Sequence, residues 1–113
     1  MPPSEEKRTD RQNRTIHLYL TLVARELQNQ GQTIQGIVKK VDWAEIIPTK
    51  QSVKEVLWRP IQETVVSKKS TTELSTSEVN KIYEIMSMFL SKQFGISLPF
   101  PTSQDLINYE KTN

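Results

Sequence analysis

From Ile16, apolar residues recur at Tyr19, Leu20, Val23 and Leu27, and only a helix brings that set onto one face. The stripe predicts a first helix from Arg11, capped by Asp10 and closed by the glycine of "QNQG", where Gly31 takes the position just past the last turn. Leu18 and Leu22 lie off the stripe, so a second side of this helix is also apolar and needs cover. A chain committed to such a helix must supply further apolar faces to pack against it.

Two later segments do so. Ser52 and Glu55 stand at capping-box spacing, with Thr49, just after Pro48, as the alternative cap. Val53, Val56, Leu57, Ile61 and Val65 then point one way. Pro60 removes a hydrogen bond and clashes one turn back, which predicts a kink or break near Val56–Trp58. The third segment follows "SKKSTTELSTSEV", a run in which seven of thirteen residues are Ser or Thr. Ser75 and Glu78 form a capping box there, and Leu74 and Val79 occupy the two positions of a hydrophobic staple. The polar run is therefore a specific helix start, and the helix keeps Val79, Ile82, Tyr83, Met86, Phe89 and Leu90 inward until Gly95 stops it. "SLPFPTS" is an extended strap stiffened by proline, and Ser103 can cap a short last helix.

The fold class is thus mainly α: three main helices plus a short C-terminal helix, with little or no sheet around residues 33–47. That interval, rich in β-branched residues and holding Gly36, reads as short extended segments or a turn of helix. Residues 1–10, "MPPSEEKRTD", read as a flexible tail, and residues 11–113 as a single helical domain.

Composition narrows the functional classes. With 113 residues the chain is one domain, and 25% charge with 35% apolar residues keeps it outside the disordered class. No cysteine means no disulfide scaffold and no thiolate metal site, which suits a reducing cytoplasm. No apolar run approaches the roughly 20 residues that span a bilayer. Catalysis has little to work with: His17 is the one histidine, no acidic cluster has metal-loop spacing, and no glycine-rich phosphate loop exists. His17 reads as a partly buried or surface side chain at the edge of the stripe. A non-enzymatic protein with no cofactor is expected.

The basic residues offer more. Residues 15–69 hold eight Lys or Arg against five Asp or Glu, a mild excess of three. Arg11 and Arg14 share a face of the opening turn, Lys54 stands one turn before Trp58 with Arg59 beside it, and Lys68 and Lys69 are adjacent. A tryptophan flanked by cations is a pattern that suits single-stranded nucleic acid, with the ring stacking on bases and the cations holding phosphates. Against this stands the plainer reading, in which Trp58 packs against neighbouring structure and the arginines are merely solvated.

Three stretches taken in order, "DRQNR" at 10–14, "SVKEVLWRPIQ" at 52–62 and "STTELSTSEVNKIYEIMSMFLSKQFGISLPFP" at 70–101, resemble the NinB (Orf) family of bacteriophage recombination proteins. The resemblance covers roughly residues 10–103. It implies a non-enzymatic accessory of phage DNA recombination or replication in the bacterial cytoplasm. Such a protein would bind single-stranded DNA, engage a host or phage single-strand-binding protein, and form a homodimer. By position, Gln12, Asn13 and Arg14 match the family's helix start, and Ser70, Thr71 and Thr72 match its Ser/Thr segment. The expected nucleic-acid-binding set is therefore Arg11, Asn13, Arg14, Lys54, Trp58, Arg59, Lys68, Lys69, Ser70, Thr71 and Thr72. These residues either contact DNA or tie the helices together. The rival expectation is a protein–protein adaptor or regulatory phage protein with no nucleic-acid role.

Overall fold

The computed structural model describes residues 3–38, 41–67 and 71–112, and the side chains within these except those of residues 3–9 and 34–46. The chain is mainly α, in the order α1 (Pro3–Asn29), β1 (Ile34–Val38), β2 (Val41–Ile46), α2 (Lys50–Val53), a π-helical turn (Lys54–Trp58), α3 (Arg59–Val66), a 3₁₀ turn (Thr71–Glu73), α4 (Thr76–Phe94) and α5 (Ser103–Thr112). Of the expected tail, the segment from Pro3 onward is already helical. Asp10 consequently lies inside α1 and does not cap it; its carboxylate meets Arg14 Nε at 3.1 Å, one turn on.

The stripe of α1 is the spine of the core. Ile16, Tyr19, Leu20, Val23 and Leu27 are all fully buried, and the off-stripe Leu18 is buried too. Gly31 adopts a left-handed φ of 69°, and the Gln32 amide donates back to Leu27 O at 2.9 Å, closing the helix end. The next segment settles as extended backbone, β1 and β2 pairing antiparallel with Ile34 opposite Ile46 and an irregularity between Gly36 and Val38.

Thr49, the alternative cap, is the one the chain uses. Its hydroxyl accepts from the Ser52 amide at 3.1 Å, and Ser52 Oγ accepts from the Thr49 amide at 2.8 Å. The box sits three residues earlier than the Ser52–Glu55 pairing, because Ser52 Oγ donates to Ile47 O and is held in the turn. Glu55 is left for Gln51 and Arg59.

Pro60 acts where expected, in a particular way. The Arg59 amide donates to Lys54 O, five residues back, and the turn Lys54–Trp58 is π-helical. Widening the turn accommodates the missing proline N–H and its ring. One residue is thereby inserted into the helical phase, and the inward face shifts by one position beyond it. Gln62 is buried and Val66 packs against the core beside the expected Ile61, whereas the expected Val65 is 36% exposed.

The Ser75–Glu78 box forms as read: Ser75 Oγ accepts from the Glu78 amide at 3.2 Å, and Glu78 Oε1 accepts from the Ser75 amide at 2.9 Å. Leu74 and Val79 are both buried in the same core cluster. Within α4, Val79, Ile82, Met86 and Leu90 are buried, whereas Phe89, expected inward, is 37% exposed and stacks edge-on with Phe94. Gly95, φ 67°, ends the helix, and the buried Ile96 donates its amide to Leu90 O at 3.2 Å. The strap then crosses the core. Leu98 O accepts from the Tyr83 hydroxyl at 2.9 Å, and Phe100 packs on Tyr19 and Tyr83 with centroids 5.6 and 5.5 Å apart. The last helix is capped by Thr102, one residue before the expected Ser103, in a reciprocal pair with Asp105 at 2.9 and 3.1 Å.

Candidate functional site

Trp58 decides how the expected site must be redrawn. The π-helical turn aims its ring into the core, where it is 0% exposed. Its Nε1–H donates to Gln62 Oε1 at 2.9 Å, and Tyr19 meets the ring at 6.2 Å, nearly edge-on. A ring with no exposed face cannot stack on a base, so Trp58 is a core residue and leaves the binding set.

The rest of the expected set is divided. Asn13 Oδ1 accepts a hydrogen bond from the Thr71 hydroxyl, and Thr71 is buried, so this pair ties α1 to the 3₁₀ turn. Of the two readings open for the Gln-Asn-Arg and Ser/Thr motifs, tying the helices together is what Asn13 and Thr71 do. Thr72 is exposed on the same turn. Arg59 pairs with Glu55 at 3.2 Å along the helix surface. Lys68, Lys69 and Ser70 lie outside the described residues. Arg11 is exposed and makes no ion pair among the described residues.

Arg14 belongs to a place that the sequence did not assemble. Between α1 and α5 a cleft of about 310 Å³ opens, lined by Arg14, His17, Leu18, Lys50, Tyr109 and Glu110 among others. Leu18 and Leu106, both buried, form its floor. Arg14 Nη1 donates to both Glu110 oxygens, at 2.8 and 3.0 Å, and so closes one side of it. Lys50 comes from the start of α2, and Lys54 from the π-helical turn one helical turn later. Arg25 lies 5.5 Å over the Tyr109 ring.

His17 reports the field in this cleft. Burial first, and then the charges of Lys54 and Lys50, hold its pKa below the ordinary histidine value. Its Nδ1 is buried with no partner among the described residues. An unprotonated Nδ1 is the cheaper state in such a spot, which leaves the ring proton on Nε2. Arg14 and Lys50 thus line the cleft as cations beside a His17 held toward its neutral form, with Lys54 close enough to act on that histidine and Glu110 as the opposing carboxylate. Periodicity alone could not have found it, since Lys50 and His17 are 33 positions apart and meet only through the packing of α2 on α1.

Among the described residues no group of three or more His, Asp or Glu could hold a metal ion, and no helix is long and apolar enough to cross a membrane. Compared with known families, curated proteins and solved structures, the chain matches none.

Proposed function

We propose that the protein is a non-catalytic accessory of phage DNA recombination or replication that binds single-stranded DNA at the α1–α5 cleft. The observation that carries the reading is the meeting of Arg14, His17 and Lys50 in one cleft, where the charges of Lys54 and Lys50 reach His17. Cations grouped beside an aromatic ring suit a flexible strand: phosphates sit on Lys50 and Lys54, and Tyr109 with Arg25 offers the stacking surface in place of Trp58. The order of motifs resembling the NinB family supplies the recombination context. Measured with a labelled oligonucleotide, Lys50→Ala and Lys54→Ala weaken binding together, whereas Arg59→Ala, remote in role and paired to Glu55, leaves it within about twofold. Equal loss in all three would remove the cleft from the site.

A second reading, an adaptor with no nucleic-acid role, is favoured by the outer face of α4. Ile85, Met88 and Phe89 are exposed there at one-turn spacing, Met88 to 60%. Neighbouring apolar side chains left in solvent on one helix face suit a protein partner. The single-strand-binding protein implied by the resemblance is the occupant this reading commits to. Association with it that survives the loss of all oligonucleotide binding, and is abolished by Met88→Glu, would select the adaptor.

A further inference from the structure

We propose that a second pocket, between the opening of α1, the opening of α4 and the strap before α5, is a nucleobase site that takes one unpaired base with its phosphate on Arg11. The proposal rests on the single-strand reading above but concerns a different place on the molecule. The pocket measures about 390 Å³, within the range of small-ligand sites, roughly 300–1,000 Å³. Its apolar side is Val79, Phe100 and Pro101, of which Val79 and Pro101 are buried. Its polar side is two carboxamides, Gln12 and Asn80, and the hydroxyls of Thr15, Thr76 and Ser103, beside the Arg11 guanidinium. Arg11 is the one charged residue among those lining it, so no carboxylate competes with an incoming phosphate.

Arg11, Asn80 and Gln12 are available, whereas the buried Thr15 hydroxyl is held by Arg11 O at 2.8 Å. Arg11 has no ion pair among the described residues, in contrast to Arg14 and Arg59. The Asn80 side chain is exposed and makes no hydrogen bond among the described residues. Gln12 Nε2 reaches Thr76 Oγ1 only at 3.5 Å, the outer limit of a hydrogen bond, so little is lost in turning toward a ligand. Phe100 is fixed from behind by Tyr19 and Tyr83, which makes its ring a rigid platform.

This combination selects a nucleotide over other small ligands. A carboxamide presents a donor and an acceptor side by side, the arrangement that pairs with a base edge and most familiarly with adenine. An aromatic side chain accepts the face of the base, and a guanidinium accepts its phosphate. A simple organic acid would leave both carboxamides without partners, and a neutral sugar would leave Arg11 without one. Arg11 and Arg14 stand three residues apart on α1, about 4.5 Å along the axis, so this pocket and the cationic cleft flank the same helix end. A strand held by its phosphates in the cleft can place a neighbouring base here.

The test uses the full chain, dAMP as the small probe, and two oligonucleotides of equal length, one of deoxyadenosine and one abasic. In a ¹⁵N-labelled sample dAMP shifts the side-chain amide signals of Gln12 and Asn80. Asn80→Ala, a change at an exposed helix position, lowers affinity for the deoxyadenosine strand about tenfold and leaves the abasic strand unchanged. Arg11→Gln weakens both strands. Equal loss on both strands for Asn80→Ala, or dAMP shifts confined to residues outside the pocket, overturns the proposal. Should neither strand bind the wild type at low salt, the single-strand reading fails by itself, and the dAMP titration alone then decides the pocket.

Discussion

Replacing Trp58 by phenylalanine distinguishes a core tryptophan from a binding one. The substitution deletes the Nε1–H that reaches Gln62 Oε1 at 2.9 Å, taking a donor from a buried acceptor, and leaves a void where the second indole ring stood. Depriving a buried polar group of its partner costs about 1–3 kcal/mol, and the incompletely refilled space brings the total to about 2–4 kcal/mol. In a domain of this size each kcal/mol moves the melting temperature by roughly 4 °C, so Trp58→Phe should melt about 8–16 °C below the wild type. Thermal unfolding followed by circular dichroism measures this. Oligonucleotide affinity, taken by fluorescence anisotropy at a temperature where both proteins are folded, should stay within about twofold. A variant that melts within about 2 °C of the wild type yet loses tenfold in affinity would refute the assignment, since only an exposed, ligand-facing ring behaves that way.

The remaining predictions concern the core hydroxyl, the helix cap and the histidine. The Tyr19 hydroxyl is buried with no partner among the described residues, and burial raises its pKa, so Tyr19→Phe should leave the melting temperature unchanged or raise it by a few degrees; a fall of more than about 5 °C would show an unseen partner. Ser75→Ala removes the acceptor for the Glu78 amide and should cost about 1 kcal/mol in chemical denaturation, with Ser77→Ala as the near-neutral control. His17 has a folded-state pKa below its unfolded value, so its contribution to stability is complete above about pH 6.5 and fades as the pH falls from there through the folded-state pKa. Since His17 is the one histidine, its ring proton resonances give that pKa directly; a value at or above 6.5 would contradict the burial and the lysine field. Oligonucleotide in the cleft should raise the value, because phosphate offsets Lys50 and Lys54.

Local chemistry was legible in the sequence, and the products of long-range packing were not. The Ser75–Glu78 box and the stop at Gly95 depend on residues within one turn of each other, and both form as the spacing implies. The α1 stripe is equally local, and all five of its members are buried. Pro60 announced a disturbance but not its form. A kink would have kept Val65 on the inner face, whereas a π-helical turn inserts one residue and brings Gln62 and Val66 inward. That one-residue change of phase also explains why Trp58, attractive beside Lys54 and Arg59 in the linear sequence, ends in the core. The N-terminal segment from Pro3 onward is helical although its proline and charge content reads as a tail. The cleft was barely visible: of its lining, Arg14 alone was among the expected site residues, while His17, Lys50 and Tyr109 join it only because α2 and α5 pack on α1.

In the function proposed above, cations around the α1–α5 cleft hold the phosphates of a single strand. The most direct measurement is the affinity of the wild type for a short labelled oligonucleotide across a series of salt concentrations. With Arg14 engaged by Asp10 and Glu110, two phosphate contacts, from Lys50 and Lys54, predict a log–log slope of about −1.4, at roughly −0.7 per contact for single strands. Lys50→Ala should make that slope shallower by about 0.7. Binding with no salt dependence, or no binding at the lowest salt, would contradict the claim.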